Sequence, residues 1–257
     1  MADLARRIAV ARGDERADLV VKGGRVLSVF TREWLEVDVA VVDGFVAGLG
    51  EYEGAETVDA SGRWVVPGFV DAHVHIESSK LLVDEFARLI VPLGTTAIVT
   101  DPHEMANVLG TDGVHWLADL CRDVPLDVWF MASTCVPASR FESPRRGLST
   151  GDLEALLRRR RVLGLAEMMN FPGVIAGDSS ELEKLALDGA THVDGHAPGV
   201  LGRRLQAYAT AGIRSDHEAR ELEEGRERLR ARARAARYGA PNPAPRAARP
   251  ARTGDRA

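Results

Sequence analysis

The pattern of apolar positions divides the sequence near residue 66. Before this point, runs of β-branched residues alternate with turn signals. The segment "ADLVVKGGRVLSV" predicts two strands around a turn at Gly23-Gly24, and "EVDVAVVDGFVAGLG" predicts a hairpin at Asp43-Gly44. We therefore expect residues 1–65 to form a small domain built on an antiparallel β-sheet.

After residue 65 the pattern changes to continuous apolar stretches, each followed by an amphipathic one. Such apolar stretches are typical of parallel strands, and the amphipathic stretches predict the helices that cover them. Six strand–helix units follow one another, with strands predicted in "VPGFVDAHV", "TTAIVTD", "LDVWFMAST", "VLGLAEMM", "THVDGHAP" and "IRSDHE". We predict an α/β fold, a TIM-like β/α barrel domain over residues 66–237.

The end of the sequence breaks this pattern. Residues 238–257 consist largely of Ala, Arg and Pro and have no apolar periodicity. A segment that cannot bury apolar side chains does not offset the entropy lost on ordering. We predict a disordered tail there, and a basic tail that binds an acidic partner is the less favoured alternative.

Composition and charge narrow the class of protein. The 257 residues are 45% hydrophobic, which is enough for a large core, and the net charge of −5 gives no electrostatic reason to expect nucleic acid as a partner. No stretch approaches the roughly 18 apolar residues that a membrane helix needs, so no membrane partner is expected. Two cysteines are too few for a disulfide scaffold and favour a reducing compartment. We predict a cytoplasmic protein.

Polar side chains that could bind metal follow the ends of the predicted strands. The carboxyl ends of the strands in a parallel barrel meet on one face, where active sites are built. The candidates at these ends are His73, His75, Asp101, His103, Glu167, His196 and His217.

Each candidate also has a structural interpretation. His73 and His75 point to the same side of a strand, which suits two ligands of one metal, but the pattern alone is equally compatible with packing. Glu167 lies in an apolar segment, where a carboxylate needs either a partner or a metal because its burial is costly. His196 and His217 could be core histidines with hydrogen-bond partners, although their position beside the other candidates favours ligation.

The combination of imidazole and carboxylate suits zinc, manganese or iron, and a carboxylate can bridge two ions. A bound metal lowers the pKa of water towards about 7. The sequence contains neither a Gly-rich phosphate loop at a strand–helix junction nor a Gly-x-Ser-x-Gly elbow. Metal-assisted hydrolysis is therefore the chemistry indicated.

Several separated motifs resemble those of bacterial adenine deaminases in the amidohydrolase superfamily. These are "VVPGFVDAHVHIESS", "GTTAIVTDPHEMANVLG", "GLAEMMNFPGV", "VDGHAPG" and "AGIRSDHE", which occur in the order of that family. Most superfamily members that bridge two metals on the fourth strand use a carboxylated lysine, and here Glu167 occupies that place. The similarity extends from about residue 18 to about residue 230.

The resemblance implies a binuclear site for manganese or iron, with zinc possible, and hydrolysis of adenine to hypoxanthine and ammonia. It implies a catalytic role for Glu167 and His217, and a secondary metal or substrate role for Asp101 and His103. Glu77 could contact the purine, or could simply cap the start of a helix. The family form is expected to be a homo-oligomer that serves purine salvage.

The family barrel has eight strands, and its eighth supplies a metal-binding aspartate. Six units are recognisable here, so we expect an incomplete barrel whose own activity is doubtful. The abrupt change to Ala, Arg and Pro after about Arg230 suggests a shifted reading frame, which sequencing beyond that codon would test. Two alternatives stay open: an amidohydrolase acting on another cyclic amide or aminated ring, and a non-catalytic fragment that binds metal.

Overall fold

The computed structural model describes residues 2–139 and 141–238, which form two compact units. The first unit is Met1–Gly68, and the second begins at Phe69. The sequence places the boundary between residues 65 and 66, and these domain limits stay a prediction. The predicted tail over 238–257 lies, apart from Tyr238, outside the described residues.

The first unit contains a helix and seven strands among its described residues. The helix is α1 (Ala2–Arg12). The strands are β1 (Ala17–Lys22), β2 (Arg25–Ser28), β3 (Glu33–Glu36), β4 (Asp38–Val42), β5 (Phe45–Gly50), β6 (Gly54–Asp59) and β7 (Trp64–Val65). They form a four-stranded sheet in the order β5-β4-β1-β6 and a three-stranded sheet in the order β3-β2-β7.

The prediction of one antiparallel sheet in this unit is wrong. Strand β1 pairs in parallel with β6, and β2 pairs in parallel with β7, so the strands on either side of Gly23-Gly24 belong to different sheets. A two-residue hairpin of type I′ needs positive φ at both central residues. Only Gly23 has it, whereas Asp43 and Gly44 have φ of 52° and 77° and close the antiparallel β4–β5 hairpin as predicted.

The second unit is a parallel sheet covered by helices. Its strands are β8 (Phe69–Val74), β9 (Thr95–Thr100), β10 (Asp127–Ala132), β11 (Val162–Met168), β12 (Val193–Gly195) and β13 (Ser215–Asp216). Its helices are α2 (Val83–Ile90), α3 (His103–Leu109), α4 (Thr111–Leu120), α5 (Thr150–Leu157), α6 (Phe171–Ala176), α7 (Ser179–Leu185), α8 (Gly202–Thr210) and α9 (Leu222–Tyr238).

The six strands of this sheet lie in chain order, from β8 at one end to β13 at the other. Each neighbouring pair is parallel, and at least one helix follows every strand. This confirms the six predicted β/α units. The arrangement also brings the carboxyl ends of all six strands to one edge, which positions the candidate site.

The largest core of the second unit lies between the sheet and its helices. Leu165 of β11 packs in one cluster with Leu153 and Leu156 of α5, and all three are at most 1% exposed. Complete burial of such a side chain stabilises a fold by about 1.5–3 kcal/mol. A capping box between Ser149 and Asp152 fixes the start of α5. None of the helices in residues 2–139 and 141–238 has the length and apolar composition of a membrane-spanning helix.

Candidate metal centre

The candidate ligands come from five of the six parallel strands. His73 lies near the end of β8, with His75 just beyond it, and Glu167 lies near the end of β11. His196 and His217 each follow directly after their strands, β12 and β13. Asp101 and His103 follow β9, where His103 begins α3. The structure thus brings all seven side chains to the same edge of the sheet.

Glu167 lies at the centre of this cluster and its side chain is 2% exposed. Its Oε1 is 3.0 Å from Nε2 of His75 and 3.5 Å from Nε2 of His73. Its Oε2 is 2.6 Å from Nδ1 of His196 and 3.4 Å from Nε2 of His217. The two carboxylate oxygens therefore face different pairs of imidazoles, as a carboxylate shared by two metal positions would.

The charges of the cluster depend on one another. Burial alone would raise the pKa of Glu167, but the surrounding imidazoles outweigh it and hold that pKa far below its usual range. Burial alone would lower the pKa of His73, His75 and His217, but the carboxylates outweigh it and raise the pKa of His73 and His75 to about 9 and that of His217 to about 10. Without a metal, positive charge on these rings balances the buried carboxylate, so a cation suits the same place.

One buried oxygen in the cluster has no hydrogen bond: Oε1 of Glu167. The nearest ring nitrogen is Nε2 of His75, whose other nitrogen, Nδ1, lies 2.8 Å from the backbone carbonyl of Asp101. Since a carbonyl only accepts, Nδ1 carries a hydrogen and the neutral ring has its lone pair on Nε2. A lone pair and a carboxylate oxygen that face each other in a buried place fit a divalent cation between them.

Asp101 and His103 form a hydrogen-bonded pair beside these atoms. Nδ1 of His103 lies 3.0 Å from Oδ2 of Asp101, and the hydroxyl of Ser133 donates to Oδ1 of the same carboxylate. Burial lowers the pKa of His103, but its contact with Asp101 outweighs this and raises it. Both oxygens of Asp101 thus have partners. The contact with Oδ2 orients the His103 ring, whose Nδ1 also lies 3.5 Å from Oε1 of Glu167.

Asp194 was missed by sequence reasoning, yet it contacts two of the candidates. It lies in β12, and its Oδ2 is 3.2 Å from Nδ1 of His73 and 3.1 Å from Nδ1 of His217. The signal was present in "VDGHAPG", because residues two apart on a strand point to the same side, as Asp194 and His196 do. Asp194 therefore belongs to the centre.

Tyr208 is a second residue that sequence reasoning missed. Its buried hydroxyl donates to the carbonyl of Met168 at 2.7 Å and accepts from the backbone nitrogen of His196 at 3.1 Å. The hydroxyl therefore joins the ends of β11 and β12, beside Glu167 and His196. Little in the sequence indicated this contact, because a tyrosine on the buried face of α8 is usually interpreted as a core residue.

Glu77 lies just beyond β8, in a short 3-10 segment. Its Oε1 accepts from the backbone nitrogen of Met105 in α3 at 3.4 Å, and its Oε2 is buried with no hydrogen-bond partner. Burial raises the pKa of this carboxyl group. The contact with α3 fits the capping interpretation, and the second oxygen is free to meet a ligand.

Three groups of possible metal ligands lie within the described residues. They are His75–Asp101–His103–Glu167, His73–Asp194–His217 and Glu167–His196–His217. Glu167 belongs to two of them, which matches its position between the imidazole pairs. The other two histidines lie apart from Glu167: His115 in α4 contacts Arg159, and His192 contacts Ser215 at 2.7 Å.

Comparison with known proteins places this geometry in a family. The amidohydrolase family profile matches residues 64–244, more than half of the chain. The chain belongs to the amidohydrolase family. It is similar to an adenine deaminase from Archaeoglobus fulgidus, with 52% identity over 227 residues that cover 88% of this chain and 40% of that protein. It is 46% identical to adenine deaminase 2 from Carboxydothermus hydrogenoformans over 86% of this chain and 39% of that protein.

Among solved structures, this amidohydrolase resembles an N-acyl-D-glutamate deacylase from Bordetella bronchiseptica, with a TM-score of 0.61 and 17% identity. The match covers 88% of this chain and 57% of that one. The chain also resembles an atrazine chlorohydrolase from Arthrobacter aurescens, with a TM-score of 0.55 and 13% identity. That match covers 85% of this chain and 70% of the chlorohydrolase chain. These structures support the fold, an incomplete TIM-like β/α barrel with small N-terminal sheets. The chain spans about 40% of the length of the curated relatives it matches.

Proposed function

We propose that this chain carries the metal-binding part of an adenine deaminase, which hydrolyses adenine to hypoxanthine and ammonia. The proposal rests above all on Glu167, a buried carboxylate between two pairs of imidazoles with one oxygen that has no hydrogen bond. The identity of 52% to an adenine deaminase supports the choice of substrate.

The residues at the edge of the sheet would divide between two metal positions. His73 and His75 would hold one ion through their Nε2 atoms, and His196 and His217 the other, with Glu167 between them. Asp101 and His103 would serve the first ion in a secondary role. A divalent pair of this kind supplies an activated water at neutral pH and stabilises charge that develops on the substrate.

The catalytic roles of Glu167 and His217 would come from the ions that they hold, which activate the reacting water. In the family that this chain resembles, an aspartate of the eighth strand handles the proton that goes to the departing amino group, which leaves as ammonia. Glu77, with one buried oxygen that has no partner, would accept a hydrogen bond from the purine ring.

The identity of the metal and several properties of the whole protein also belong to the proposal. The donor set of imidazole and carboxylate suits manganese or iron and also zinc, and the resemblance favours the first two. A cytoplasmic location, a role in purine salvage, a homo-oligomeric full-length form and the domain limits at residues 65 and 237 also remain proposals. Elemental analysis of protein grown with each metal would identify the ion.

The test is ammonia release by the purified, metal-loaded chain. Adenine, guanine, cytosine and hydantoin are compared as substrates, with hypoxanthine measured as the second product from adenine. We expect any release to come from adenine alone and to be slow, because the predicted barrel is incomplete. Glu167→Gln should abolish this release, whereas His115→Ala, which changes a histidine outside the centre, should retain it. Turnover confined to a non-purine would overturn the choice of substrate. Bound metal without turnover by the folded chain would support a non-catalytic metal-binding fragment instead.

A further inference from the structure

Asp194 contacts two candidate ligands that face opposite oxygens of Glu167. Its Oδ2 is 3.2 Å from Nδ1 of His73 and 3.1 Å from Nδ1 of His217. The two imidazole rings are stacked, with centroids 3.5 Å apart and an angle of 17° between their planes. Oδ2 of Asp194 thus accepts a hydrogen bond from His217 and lies within ion-pair distance of the parallel ring of His73.

This contact determines which nitrogen of each ring is available to a metal. A carboxylate oxygen only accepts, so Nδ1 of His217 carries a hydrogen. Nδ1 of His73, 3.2 Å from the same oxygen, would face it lone pair against lone pair unless it carries one too. The lone pairs are then on the Nε2 atoms, which lie 3.5 Å from Oε1 and 3.4 Å from Oε2 of Glu167. Asp194 thus orients one ring towards each metal position.

The neighbouring strand fixes the Asp194 carboxylate in turn. Asp194 and Ser215 are register partners in the β12–β13 pair, and the Ser215 hydroxyl donates to Oδ1 of Asp194 at 2.6 Å. The same hydroxyl lies 2.7 Å from Nε2 of His192. Both oxygens of Asp194 have partners within the protein, and the side chain is 11% exposed.

We propose that Asp194 is a positioning residue that sets the tautomer of His73 and His217 together and so couples the loading of the two metal positions. The inference rests on the proposed metal pair but not on deamination. Outer partners of this type hold ligands in orientation and raise their basicity. Because one carboxylate serves both positions, occupation of one site pre-orients a ring of the other.

The test compares metal binding by the parent chain and Asp194→Asn. The asparagine has the same shape, but its amide nitrogen replaces either Oδ2, where it meets the hydrogens of both imidazoles, or Oδ1, where it meets the hydroxyl hydrogen of Ser215. In either orientation a donor faces a donor, and the carboxylate charge that holds the two ring hydrogens is lost. We expect two equivalents of Co²⁺ still to bind, with affinity in chelator competition lowered about 10–100-fold. Cooperative loading should weaken, and the visible absorption of bound Co²⁺ should change. Asp188→Asn, an exposed change in the segment before β12, should match the parent in each measurement.

Three results would overturn the inference. Equal affinity and an equal Co²⁺ spectrum in Asp194→Asn would show that Asp194 has no positioning role. Loss of one whole equivalent, with the other unchanged, would make Asp194 a direct ligand, as its place in one of the possible ligand groups allows. A parent chain that binds no metal would also overturn it, whereas metal binding without deamination would contradict only the proposed function.

Ser215→Ala provides a second variant in case Asp194→Asn does not fold. It keeps the carboxylate but removes the hydroxyl that fixes Oδ1. We expect a smaller loss of affinity in the same direction, with the stoichiometry retained. Unchanged affinity in this variant would contradict the role of the β13 contact and with it the positioning of both rings.

Discussion

Oε1 of Glu167 lies 3.0 Å from Nε2 of His75, yet no hydrogen bond reaches that oxygen. Two electron-rich atoms at this distance in a buried place would repel each other unless a proton or a cation lay between them. The backbone carbonyl of Asp101 holds the hydrogen of the ring on its other nitrogen. Without a metal, the raised pKa of His75 keeps a proton on Nε2, and a divalent cation that displaces this proton would have both atoms as ligands.

The first prediction concerns the double change of His73 and His75 to alanine. We expect the content of bound metal to fall by at least half, since one ion loses two ligands, with the far-UV circular dichroism retained. Metal is measured by elemental analysis after loading and desalting. His115→Ala is the matched control, because His115 lies in α4 in contact with Arg159. A double variant with unchanged metal stoichiometry would contradict the assignment of these two ligands.

Glu167→Gln tests whether the carboxylate is shared by both ions. The amide keeps the size of the side chain but removes its negative charge, and it replaces one oxygen with an NH2 group, which donates hydrogen bonds and does not bind metal. We expect the second ion to bind more than about 100-fold more weakly, a larger loss than outer partners cause. The stoichiometry is followed by titration with Mn²⁺ or Co²⁺. If the variant retains two equivalents at parental affinity, Glu167 does not bridge.

Metal removal should lower the stability of the second unit. A ligand that binds only the folded state stabilises it by about 2.7 kcal/mol when its concentration is 100 times the dissociation constant. We expect a lower Tm after treatment with a chelator and recovery when metal is added back. The variant lacking His73 and His75 should respond much less. A Tm that is the same with and without metal in the parent would show that the centre binds no ion under those conditions.

That the side chains of the candidate site lie close together could be predicted from the sequence, because two simple geometric rules apply to them. His73 and His75 share a side through the period of two on a strand, and consecutive parallel strands bring His196 and His217 to the same edge. Asp194 was missed although the same period of two relates it to His196. The reason is that Asp194 contacts the ligand rings of His73 and His217, and such a contact depends on side chains from distant strands whose positions the sequence does not give.

The fold was less predictable where pairing depends on distant residues. The turn at Gly23-Gly24 suggested a hairpin between β1 and β2. Instead, β1 pairs with β6 and β2 with β7, and the partners are distant in the sequence, as in the pairs Ala17–Gly54 and Arg25–Trp64. Local turn residues limit the backbone angles, whereas sheet membership is decided by which apolar faces pack together. The six parallel strands were easier to predict, because each continuous apolar stretch needs cover on both faces.

Both cysteines should resist thiol reagents in the folded protein. Cys121 and Cys135 are buried and free, and burial raises the pKa of Cys121 to about 12 and that of Cys135 further. At pH 8 only about one Cys121 in ten thousand would then be a thiolate, the form that reacts. We expect slow reaction with a disulfide reagent in the native state and reaction of both thiols in denaturant. Rapid stoichiometric reaction without denaturant would show that the strands and helices around them open readily.

The last prediction concerns Gly164 of β11, which lies against the backbone of His192, the residue before β12. A Cβ atom at this position would overlap the backbone carbonyl of His192, which accepts the amide hydrogen of Leu165 at 2.9 Å. We expect Gly164→Ala to destabilise the fold by about 1–3 kcal/mol, as overpacking does, measured as a lower midpoint of urea unfolding. Metal affinity should fall as well, because Glu167 lies three residues further along β11. Gly151→Ala is the control. Gly151 lies in α5, where alanine is tolerated, and the nearest neighbour of its added Cβ would be Oγ of Ser149 at 3.7 Å. If Gly164→Ala were as stable as this control, the close approach of the two strands would not be a feature of the folded protein.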